Sequence, residues 1–129
     1  MIVLDENVFE SQRLELMGRY AGLCQIGVDV GRKGMQDDEI ITLLRRLRHP
    51  SFFSRDPDFF KKSLSSDHYC LAFLDVRPLE VAHYTRSLLR HPAFKTWSQR
   101  RGCVVRVAPS GISVWRAHAA RLARYDWDQ

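Results

Sequence analysis

Short apolar runs alternate with longer amphipathic stretches along this chain, and a polypeptide patterned that way buries its surface as a sheet of strands covered by helices. Ile2 to Leu4 reads as a short buried strand. Val8, Leu14, Leu16 and Met17 then fit a helix that begins near Asn7 and stops around Gly18 or Gly22. Leu23 to Val28 reads as a second strand. Beyond Gly31-Arg32-Lys33-Gly34, Asp37 is placed to cap a helix with Ile40, Ile41, Leu43, Leu44 and Leu47 facing inward and Arg45, Arg46 and Arg48 facing out. His49-Pro50 closes it, because proline disfavours helical geometry in the residue before it.

The same alternation continues. Phe52-Phe53 starts a third strand, and Asp56-Pro57 opens a short helix through Phe59, Phe60 and Leu64. Tyr69 to Leu74 is the clearest strand, with Asp75 at its end. Pro78 suits the first turn of a helix whose apolar stripe is Leu79, Val81, Tyr84, Leu88 and Leu89, and a further helical piece runs through Phe94 and Trp97. Val104 to Ala108 and Ile112 to Trp115, joined by Pro109-Ser110-Gly111, predict a hairpin, and Ala117 to Tyr125 predicts a basic helix. Leu-Arg-His-Pro occurs at Leu47 to Pro50 and again at Leu89 to Pro92, but the flanking segments differ, so it is recurrent stop chemistry and no repeat. The 129 residues, undivided by any linker, are expected to form one domain, 1–129.

Cys24, Cys70 and Cys103 are odd in number, widely spaced and set in apolar stretches, which argues against a disulfide or zinc framework and for an intracellular, cytoplasmic protein. No secretory leader pattern or membrane-length apolar run is present, so no membrane partner is expected. The histidines lack metal-ligand spacing, and Gly31-Arg32-Lys33-Gly34 lacks the lysine spacing of a phosphate loop. Trp97, Trp115 and Trp127, in apolar surroundings, read as core residues.

Against a net charge of +5, four acidic residues stand at the boundaries of strands and helices: Asp5, Asp37, Asp56 and Asp58. In open α/β sheets the ends of strands line the ligand crevice, so these positions form a candidate metal-binding carboxylate cluster. An arginine-rich surface around such a cluster suits a partner that carries phosphates. Helix capping alone also accounts for Asp37 and Asp56.

Three blocks carry a resemblance. Leu4-Asp5-Glu6-Asn7, then Gly34-Met35-Gln36-Asp37-Asp38-Glu39-Ile40, then Ser54-Arg55-Asp56-Pro57-Asp58-Phe59 resemble, in order, the signatures of compact PIN-like domains related to VapC-type toxins. They cover roughly the first half of the chain. The resemblance implies a Rossmann-like, three-layer α/β fold with a short, mainly parallel sheet and a C-terminal β-hairpin. It implies a ribonuclease that holds Mg²⁺ or Mn²⁺ on Asp5, Asp37, Asp56 and Asp58, with Asp38 and Glu39 as alternatives to Asp37, and with Arg55 and Asn7 contacting the RNA. It also implies an antitoxin protein as partner, and a homodimer. The alternative is a domain of the same fold that binds nucleic acid or protein without cleaving anything.

Overall fold

The computed structural model describes residues 1–128. Strands β1 (Ile2–Leu4), β2 (Cys24–Gln25), β3 (Ser51–Ser54), β4 (Cys70–Leu74), β5 (Cys103–Ala108), β6 (Gly111–Arg116) and β7 (Ala123–Tyr125) form one seven-stranded sheet in the order β2-β1-β3-β4-β5-β6-β7. β2 through β5 pair in parallel with their neighbours, and β6 and β7 are added antiparallel. The fold is thus a mixed α/β sheet, mostly parallel.

Successive residues of each central strand point to opposite faces, and both faces are buried. Leu4, Phe53, Ala72 and Val105 join a core with Leu16 of helix α1 (Glu10–Leu16) and with Val81, Leu88 and Leu89 of helix α3 (Val81–Arg90). Val3, Phe52, Leu71 and Val104 join a second core on the other face, with Ile40 and Leu44 of helix α2 (Asp37–Arg46). Strands buried on both faces read as continuous apolar runs, which is why β4, Cys-Leu-Ala-Phe-Leu, stands out in the sequence.

Several expectations are corrected. The first helix begins at Glu10, three residues late, because Val8 N–H bonds back to Asp5 O and the chain stays extended through Phe9. From that start Gln12 and Leu16 face the core, whereas Leu14 and Met17 are exposed. The second strand is only Cys24–Gln25; Asp29 and Val30 donate their N–H groups to Gln25 O and turn the chain away from the sheet. Asp37 is the first residue of α2 and not its cap, which is Gln36, whose N–H donates to Glu39 Oε1 at 3.0 Å. The helix stops at Arg46, ahead of His49-Pro50, where His49 takes a left-handed φ of 52°. The segment from Asp56 to Leu64 is two separate 3₁₀ turns, Pro57–Phe59 and Lys62–Leu64. Leu79 points outward from the turn Pro78–Glu80.

The basic tail helix is also overturned, since β7 occupies part of Ala117 to Tyr125. Its alternation has period two: Ala123 and Tyr125 pack on the core while Arg124 is exposed. Tyr125 stacks edge-on against Phe94 and His91, and those ring contacts reward the extended course. Among the described residues, no helix is long and apolar enough to cross a membrane.

Candidate metal centre

The parallel strands β1 and β3 are neighbours, but their outgoing connections separate. β1 leads to α1 on one face, and β3 leads to the 3₁₀ turn Pro57–Phe59, whose Phe59 packs in the core on the other face. In the order 2-1-3-4-5 that divergence is the switch point, where a crevice opens beyond the carboxyl ends of the strands. A cavity of about 300 Å³ lies there, lined by Asp5, Asn7, Val8, Ser54, Arg55 and Asp56.

Asp5 follows β1 directly and is 9% exposed. Both its oxygens are engaged: Oδ1 accepts the Glu6 N–H at 2.8 Å, and Oδ2 accepts the Ser54 hydroxyl at 2.6 Å. Burial raises its carboxyl above the usual range, the charges of Glu6 and Asp56 add to the rise, and these two hydrogen bonds oppose it. Gln25, 3% exposed, braces the loop from below, because its Nε2 donates to Asp5 O at 3.0 Å and to Val8 O at 2.9 Å.

Asp56 caps the turn Pro57–Phe59 through Oδ1, which accepts the Asp58 N–H at 2.9 Å, and its own N–H donates to Ser54 Oγ at 3.0 Å. Pro57 at the first position of this turn presets the backbone that brings Asp58 round beside Asp56. Asp37 reaches the same place from the start of α2. Glu6 ties that approach to β1 by accepting the Gly34 N–H on Oε1 at 3.0 Å.

The structure therefore brings Asp37, Asp56 and Asp58 together, each with one carboxylate oxygen within 4.8 Å of the others. Asp5 lies outside this trio but beside it, at the cavity floor, and its charge acts on Asp37. Partial desolvation and then the charges of Asp56, Asp58 and Asp5 raise the Asp37 carboxyl, with Lys61 opposing. Asp38 and Glu39 are directed elsewhere: Glu39 pairs with Arg32, and Asp38 lines a separate hollow with Thr42 and Arg46. The all-oxygen, all-anionic set fits a hard divalent cation.

Asn7 and Arg55 both border the cavity, and Arg55 Nε donates to Val76 O at 2.9 Å, which fixes the root of its guanidinium. Arg45 and Arg46 are not part of this rim. They sit at the far end of α2 from Asp37, about 12 Å away at 1.5 Å per residue. Sequence reading missed Gln25, Glu6 as a loop tether, and Lys61. A glutamine inside a short apolar strand was the one available signal for Gln25; Lys61 has none, because only the 3₁₀ turn brings it near Asp37. No family model, no curated protein and no solved structure matches this chain.

Proposed function

We propose that this chain is a PIN-like, Mg²⁺- or Mn²⁺-dependent ribonuclease, acting as the toxin of a toxin–antitoxin pair. The observation that carries the nuclease reading is the convergence of Asp37, Asp56 and Asp58 beside buried Asp5 at the β1/β3 switch point. The toxin assignment, the antitoxin and a homodimer rest on the three sequence blocks that resemble VapC-type toxins, and the cytoplasmic setting on the odd, widely spaced cysteines.

Asp37, Asp56 and Asp58 would hold the cation, which when bound supplies a water of lowered pKa and neutralises charge on the phosphate. Partial desolvation, and after it the crowded negative charge of Asp56, Asp58 and Asp5, raises the Asp37 carboxyl, so the trio gains from a cation partner. Asp5 has the proton affinity of a buried carboxylate and faces a cavity that Asp56 of the trio also lines, which suits it to accept the proton of the attacking water at Oδ1 or Oδ2. Ser54 and the Glu6 N–H fix the orientation of that carboxylate. Arg55 and Asn7, at the rim, would hold the phosphate and the neighbouring sugar.

The test is cleavage of a labelled RNA pool with Mg²⁺, Mn²⁺ or chelator, by the wild-type protein, Asp5→Asn and Asp56→Asn. Cleavage that requires the metal and both aspartates supports the reading. Intact RNA in every lane, from protein shown to be folded, sinks it in favour of a non-catalytic binding domain.

A further inference from the structure

Among the described residues, Phe9 is the only phenylalanine, tyrosine or tryptophan left exposed, with 53% of its surface open. It is not on a mobile end. Its carbonyl accepts the N–H groups of Gln12 at 2.9 Å and Arg13 at 3.1 Å, so the first turn of α1 presents the ring from a fixed backbone. Across from it stands Leu79, 69% exposed, and between them lies a hollow of about 510 Å³ lined by Phe9, Arg77, Pro78, Leu79 and Glu80. This hollow has a larger volume than the carboxylate cavity.

The linings of the two spaces adjoin along the chain at two places. Val8 lines the carboxylate cavity and Phe9 the hollow; on the other side, Arg55 of the cavity bonds Val76 O, one residue before Arg77 of the hollow. The Glu80 carboxylate within the hollow is engaged by the Arg77 N–H at 3.1 Å. An aromatic face and an aliphatic wall in one almost wholly apolar hollow, with Arg77 in its lining and Arg55 in the carboxylate cavity, match a nucleotide: a base has one flat face for Phe9 and the other for Leu79, its polar edges left to solvent, and its phosphate is anionic for Arg77 and Arg55. A paired base, stacked on both faces, could not enter.

We propose that the Phe9–Leu79 hollow is a nucleobase subsite that seats one unpaired base of a single-stranded RNA next to the phosphate held at the carboxylate cavity. This rests on the ribonuclease reading for its substrate but not for its existence as a binding site. Stacking on one aromatic side chain accounts for roughly tenfold in affinity.

The experiment compares wild-type, Phe9→Ala, Phe9→Trp and Leu79→Ser proteins on a single-stranded oligoribonucleotide and on its duplex, with melting curves to show that each variant is folded. Expected are a KM roughly tenfold higher for Phe9→Ala with kcat little changed, a smaller rise for Leu79→Ser, and recovery in Phe9→Trp. Quenching of a 2-aminopurine base in the strand, lost in Phe9→Ala, reports the stack directly. Unaltered KM and quenching in Phe9→Ala overturn the subsite while leaving the nuclease intact. If no protein cleaves, Phe9-dependent quenching alone retains the subsite, and its absence removes it along with the nuclease. Should Phe9→Ala instead abolish a concentration-dependent dimer in sedimentation and leave RNA binding unaltered, the hollow is a contact between copies and the proposal is wrong.

Discussion

Ser54 Oγ donates to Asp5 Oδ2 at 2.6 Å across 49 residues of sequence, and the same oxygen accepts the Asp56 N–H at 3.0 Å. One hydroxyl at the end of β3 therefore sets the carboxylate that follows β1 and the backbone that carries the capping aspartate. Ser54→Ala removes a donor from a buried carboxylate and leaves an N–H without its partner. The expected loss is roughly 1–3 kcal/mol in urea unfolding, with Ser54→Thr much closer to wild type because it keeps the hydroxyl. Equal stability of the alanine and threonine variants would show that the hydrogen bond contributes nothing to the fold.

Gln25 is a polar residue in a strand of two, fully inside, and its amide is the donor that the Asp5–Val8 turn depends on. Gln25→Met keeps the length and loses the donor, leaving Val8 O buried without it, so a loss of roughly 1–3 kcal/mol is expected. Gln25→Glu is the sharper variant. It sets an acceptor against carbonyl oxygens, so it is expected to destabilise more at pH 7 than near pH 4, where the new carboxyl can be protonated and donate. Denaturant titrations at the two pH values measure the difference; the same loss at both would mean that the amide donor is not what matters.

The parts of the fold legible in the sequence are those set by local pattern. β4 and the β5–β6 hairpin could be read because an unbroken apolar run and a short glycine-containing turn each have a local cause. The edges were not legible. β2 is short because Asp29 and Val30 turn the chain, and β7 is a strand because Tyr125 finds Phe94 and His91, which no window of nine residues contains. At the site, Asp37, Asp56 and Asp58 could be named from their motifs. That Asp5 sits apart, satisfied by Ser54 and Glu6, depends on strand register, and so do Gln25 and Lys61.

The three thiols differ in access, and their chemistry should follow. Cys70 and Cys103 lie inside the core, where burial raises both thiols, Cys70 far up, and the two are side by side on β4 and β5. Cys24 is half-buried on the edge strand, with burial again the main cause of a raised thiol. A thiolate is the reactive form, so all three are expected to react slowly in the native protein, Cys24 first. Mass spectrometry after timed alkylation should find one adduct, on Cys24, before any on Cys70 or Cys103, and all three only in denaturant. Early labelling of Cys70 would mean that the β3–β4–β5 core opens far more readily than its burial implies.

Removing the carboxylate charge at Asp37 should stabilise the protein when no divalent cation is present. Partial desolvation and the charges of Asp56, Asp58 and Asp5 raise this carboxyl in the folded state above its unfolded value, so the folded protein binds the proton more tightly. Stability is then highest below the unfolded pKa and falls as pH rises through the raised one; Asp5, raised mainly by burial, contributes with the same sign. In chelator at pH 7, Asp37→Asn is expected to melt slightly above wild type, by an amount that solvent screening of the exposed carboxylate keeps small, with the gap closing at about pH 2.5, well below the unfolded carboxyl value of about 3.9, where both are uncharged. Mg²⁺ or Mn²⁺ should reverse the order. At about 100 times its Kd a cation bound only to the folded state adds ~2.7 kcal/mol to the wild type, and the variant, lacking one ligand of the trio, should gain much less. Melting curves in chelator and in metal, at both pH values, measure all four terms. A wild type that melts at the same temperature with and without metal would leave the trio as repulsion that nothing relieves, and the metal centre would have to be abandoned.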